Sequence, residues 1–172
     1  MILNLPPTVT GQIPDEWAAP AIEFGKALRA SFAAPVATLL SKAHQDGRRR
    51  VSCGAGAPPL LLPIPAGTGP WNAVRSSEDV LQDGQLVSAY YIEALVDGKW
   101  VNATSRGQSV GVGTVDLVAG QRTAPMAAEQ PTPPPPLSRI VTATQLRWHC
   151  LAARRQTVAL TGVDLYLATP PT

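Results

Sequence analysis

The chain has 172 residues, 45% of them hydrophobic and 15% charged, with a formal net charge of +2. That length allows one domain with a proper core, or one domain with a piece of another, and so small a charge gives no electrostatic case for nucleic acid. Eighteen prolines and 14 glycines require many turns, as in a β-rich fold.

Residues 1–5, Met-Ile-Leu-Asn-Leu, read as a short apolar strand ended by Pro6-Pro7. The apolar run is too short, and lacks the basic region, for a signal peptide. A helix is predicted over about 14–31: Pro14 suits the first helical position, and Asp15 and Glu16 suit the positive end of the dipole. Trp17, Ala21, Phe24 and Leu28 form an apolar stripe on one face, and Pro20 should kink or restart the helix. Residues 33–59 show no clear element and read as a junction, with a short strand at about 60–64 among Gly/Pro loops.

After Gly69-Pro70 the texture changes. Residues 71–75, 85–96, 100–103, 109–118, 140–152 and 157–168 all read as strands separated by turn residues, which means an antiparallel sandwich or barrel. The cleanest is 85–96: Tyr90, Ile92, Ala94 and Val96 share one face, Tyr91, Glu93 and Leu95 the other, and one of the two must be core. Asp97-Gly98 is its hairpin turn. The loop at 119–138, with four consecutive prolines at 133–136, is extended and exposed. No apolar run reaches the ~18 residues of a membrane helix.

Catalytic chemistry is hard to find. Glu78-Asp79 and Asp83 sit in "SSEDVLQDG", a turn composition, and read as loop features rather than an acid/base pair. His149 and Cys150 are strand neighbours and point to opposite faces, so they are no nucleophilic pair. Gly107, Gly111 and Gly113 precede no helix and cradle no phosphate. Arg48-Arg49-Arg50 reads as a solvated turn. Cys53 and Cys150 lack metal-ligand spacing; they are either one long-range disulfide or two buried thiols. No metal and no cofactor is implied. Trp71, Trp100 and Tyr91 are candidates to stack on sugar rings, against a default of core packing. Asn102-Ala103-Thr104 fits the N-glycosylation pattern.

One further pattern runs through the clean strand. Glu78-Asp79, Gly84-Gln85-Leu86-Val87, Tyr90-Tyr91-Ile92-Glu93, Asp97-Gly98-Lys99-Trp100 and Gly107-Gln108-Ser109-Val110-Gly111 follow one another. In that order they resemble the C-terminal β-sandwich of the α-L-fucosidases, retaining glycoside hydrolases that release fucose. "ILNLPPTVTGQIPDE" and "EFGKALR" are similar to the last strand, loop and helix of that family's (β/α)₈ barrel. Leu86 stands where the family has arginine, and Gly113-Thr114 where it has a lysine-arginine pair.

The resemblance implies a mainly β fold: a galactose-binding-like antiparallel sandwich preceded by one β/α unit left from the barrel. Residues 1–32 would be that unit, 33–59 a junction and 60–172 the sandwich. It implies a barrel domain as partner, a fucosylated glycan as the family substrate, and a parent that is lysosomal or secreted. Asn4 would stand at the rim of the barrel's pocket. The catalytic carboxylates, about 5 Å apart in retaining enzymes, would belong to a barrel of about 250 residues and not to this chain. Taken alone, the chain should not hydrolyse a fucoside. The alternative is a stand-alone carbohydrate-binding module.

Overall fold

The computed structural model describes residues 15–41, 48–104, 107, 109–118, 140 and 143–168. Two units result, residues 34–168 and a smaller one holding 1–33 with 169–172. The smaller contributes helix α1, Asp15–Ser31, which runs through Pro20 without a break. The expected strand at 1–5 with Asn4 and the loop at 119–138 lie outside the described residues.

The larger unit is two antiparallel sheets. The first contains β1 (Ala37–Ser41), β2 (Arg49–Ser52), β4 (Ala73–Glu78), β7 (Thr114–Leu117) and β9 (Thr157–Tyr166). Its order is β1-β9-β4-β7, with β2 sharing the β1 edge of β9. The second is β3-β8-β5-β6, from Leu60–Pro63, Ala143–Ala153, Val87–Val96 and Lys99–Asn102. The sandwich expectation holds, but its start was placed too late. β1 and β2 fall inside the segment read as a junction, because strands of four or five residues lying against a long central strand need little periodicity of their own.

The alternation of β5 decides which face is inside. Tyr90, Ile92 and Ala94 are fully buried, while Tyr91 and Glu93 lie on the opposite, half-exposed face. Asp97 and Gly98 both have positive φ, 49° and 76°, the requirement of a two-residue hairpin that matches strand twist. Between the sheets, Trp148, Leu146, Val74, Leu160, Val163 and Leu165 pack with Tyr90 and Ile92. Tyr90 and Trp148 stack with centroids 5.1 Å apart.

Polar links also cross this core. The Trp148 indole donates to Ser76 Oγ at 3.2 Å, and the Tyr90 hydroxyl donates to Asp116 on β7 at 2.5 Å. Cys53, just after β2, is disulfide-bonded to Cys150 of β8 across 97 residues, which staples one sheet to the other.

Candidate functional site

The strands present two outer faces with different chemistry. On the β3-β8-β5-β6 sheet, the outward positions of β5, β6 and β8 bring together Tyr91, Glu93, Trp100, Arg147 and His149. Tyr91 and His149 are register partners and stack with centroids 4.2 Å apart. His149 Nε2 lies 2.8 Å from Glu93 Oε2. Arg147 reaches across the sheet to place its guanidinium 3.7 Å above the Trp100 ring. Burial, then the Glu93 charge, raises the Tyr91 pKa, with Arg147 opposing.

This layer unites two of the three aromatics expected to bind sugar, and it also occupies them. One face of Tyr91 is taken by His149 and one face of Trp100 by Arg147. The third, Trp71, is 1% exposed and bridged to Ile140, so it is a core residue and cannot stack on a ligand. The physical reason is its position one residue before Asn72, whose amide and carbonyl lock the strand end onto Ala168 inside the sandwich. Asn102 is exposed at the end of β6, while Thr104 of the same motif is buried and accepts the Ile92 N–H at 3.2 Å.

The motif carboxylates are structural. Glu78 is buried; one of its oxygens accepts the N–H groups of Leu86 and Val87 at 2.9 and 3.0 Å, and the other accepts that of Gly111 at 2.8 Å. Asp79 is buried beside Arg48, whose Nε donates to it at 2.8 Å. Arg48 is therefore an ion-pair partner rather than part of a free basic turn, and Arg49 and Arg50 are strand residues of β2. "SSEDVLQDG" is not all turn, since Val80–Asp83 forms a one-turn helix, α2. His149 and Cys150 do point to opposite faces, Cys150 into its disulfide and His149 to Glu93.

The outer face of the five-stranded sheet holds a cleft of about 440 Å³ that sequence reading did not find. Thr38, Arg75, Ser77, Gly162 and Asp164 line it from β1, β4 and β9, and Leu81 and Val112 stand over it. A sequence signal existed: Arg75 and Asp164 are charged residues inside the strand runs "AVRSSE" and "TGVDLY". Among the described residues, no group of three histidine, cysteine, aspartate or glutamate side chains is placed to hold a metal ion, and no helix is long and apolar enough to cross a membrane.

No family model matches the sequence, and no curated protein matches it. Solved structures do. A Bacteroides ovatus protein assigned as an α-L-fucosidase superposes with a TM-score of 0.60 at 19% identity, over 87% of this chain and 20% of its own. A glycoside hydrolase 29 family member from an unknown rumen bacterium gives 0.55 at 18%, over 94% and 24%. A Ruminococcus gnavus GH29 fucosidase in complex with fucose gives 0.50 at 15%, over 93% and 32%. The chain spans between a fifth and a third of the length of these proteins. Its fold is that of one part of the glycoside hydrolase family 29 α-L-fucosidases, the part that includes their C-terminal β-sandwich.

Proposed function

We propose that this chain is the accessory sandwich of an α-L-fucosidase-like glycoside hydrolase. Hydrolysis of α-L-fucosyl linkages would be carried out by a barrel domain that the chain itself does not hold. The observation that carries this reading is the fold match, which covers most of this chain and a minor part of each hydrolase. The state of the carboxylates supports it. Glu78, Asp79, Glu93, Asp116 and Asp164 each lie against a named side-chain or backbone partner within the sandwich. A retaining pair needs two carboxyls facing one bond.

On this reading residues 1–32 are the last β/α unit of the barrel, and the boundary falls near residue 33. The disulfide suits an oxidising compartment, in which Asn102 would be open to glycosylation. The test is turnover of an aryl α-L-fucoside by the purified chain, with circular dichroism as the folding control. A folded, inactive protein is expected. Turnover that disappears when a carboxylate of this chain is substituted would overturn the reading.

A further inference from the structure

The cleft on the outer face of the five-stranded sheet contains an unfinished ion pair. Asp164 Oδ1 accepts the Thr38 hydroxyl at 2.8 Å. Its Oδ2 stands 3.7 Å from Arg75 Nη1, beyond hydrogen-bond length. The Arg75 guanidinium occupies space that Gly113 leaves open: a Cβ at residue 113 would lie 2.9 Å from Arg75 Nε and 3.1 Å from Nη2.

We propose that the cleft binds a neutral, hydroxyl-rich ligand, a single sugar residue. A hydroxyl is both donor and acceptor. Set to one side of the pair, it gives its proton to Asp164 Oδ2 and accepts an N–H from Arg75. An anion would meet Asp164 and an ammonium would meet Arg75, so neither completes the pair. Glu78 and Asp79 line the same cleft, but their carboxylates are engaged elsewhere and add only negative field. The rim supplies the apolar half. Leu81 and Val112 are 95% and 77% exposed, and they form a wall for the C–H face of a pyranose. The volume of about 440 Å³ lies within the range of small-molecule sites, roughly 300–1,000 Å³.

The choice of fucose as first probe rests on the proposed function; the site itself rests on the geometry. The experiment is an amide-detected NMR titration of the 172-residue chain with L-fucose and with D-galactose, up to about 50 mM, which saturates a millimolar site. Saturable shifts are expected in β4 and β9. Arg75→Met and Asp164→Asn should each weaken binding at least about tenfold, the loss of one charge-assisted hydrogen bond. Gly113→Ala should weaken it too, by displacing Arg75, while Tyr91→Ala and Trp100→Ala leave it unchanged. The amide spectrum reports folding in every variant, and half-exposed Arg75 gives a variant that does not disturb the core. Binding of galactose alone keeps the site and removes fucose as its ligand. No saturable shift with either sugar, shifts confined to the Tyr91 face, or undiminished binding by Arg75→Met would overturn the proposal. None of these outcomes bears on fucoside turnover, so the two readings fail separately.

Discussion

Glu78 and Gly111 hold each other twice: the Glu78 N–H donates to the Gly111 carbonyl at 2.8 Å, and the Gly111 N–H donates to Glu78 Oε2 at 2.8 Å. The other carboxylate oxygen takes the N–H groups of Leu86 and of Val87, the first residue of β5. One buried side chain thus ties the end of β4, the start of β5 and the turn before β7. Glu78→Ala leaves these donors without their partner, each at about 1–3 kcal/mol. A loss of about 3 kcal/mol or more in urea denaturation is expected, and Glu78→Gln should fall between, since its amide nitrogen would face a donor. A change below about 1 kcal/mol for the alanine variant would refute the clamp.

Gly107 is required for a steric reason. Its backbone exchanges hydrogen bonds with Tyr90 in both directions, and a Cβ at 107 would collide with the Tyr90 ring. Tyr90 is fully buried and stacked on Trp148, so it has nowhere to move. Gly107→Ala should cost about 1–3 kcal/mol, the usual range for overpacking. Gly98→Ala makes no such clash, and strain at its positive φ should be its only cost. Denaturation midpoints of the two variants separate the causes.

Asp116 gives a pH signature. Burial raises its pKa above the ordinary 3.8, against the lowering effect of the Tyr90 hydrogen bond. The folded value exceeds the unfolded one, so the favourable contribution is present below about pH 3.8 and is lost as pH rises through the folded value. At neutral pH the ionised carboxylate is a cost. Asp116→Asn keeps an acceptor for Tyr90 and removes that cost. The variant should match or exceed the parent in stability at pH 7, and lose the advantage toward pH 3. Greater stability of the parent at pH 7 would mean that the charged hydrogen bond outweighs desolvation.

The disulfide closes a separation of 97 residues between the two sheets. In the chain-entropy account such a link restricts the unfolded state, by roughly 2–5 kcal/mol. Cys53→Ser with Cys150→Ser, or reduction of the parent, should lower the urea midpoint accordingly, and reductant should leave the double variant unchanged.

Arg147 and Trp100 test the second face. Their stacking should give a coupling of about 0.5–1 kcal/mol in a double-mutant cycle with Arg147→Met and Trp100→Ala. Zero coupling would reduce the layer to independent surface contacts.

The sequence alone determined the strand faces, the hairpin at 97–98 and the sandwich class, because alternation and turn chemistry are local properties that short-range sterics enforce. It also carried the motif order from Glu78 to Gly111, whose reasons the structure supplies: a carboxylate clamp at Glu78, ring contact at Gly107, a positive φ of 56° at Gly111. It did not determine which aromatics are covered. Trp71 and Trp100 look alike in sequence, yet one is core and the other, on β6, lies under Arg147, which reaches it from β8. Nor did it join Cys53 to Cys150, or set Arg75 against Asp164 with Gly113 beside them. Those pairings span tens of residues, and only the stacking and register of two sheets bring such distant positions within reach of one another.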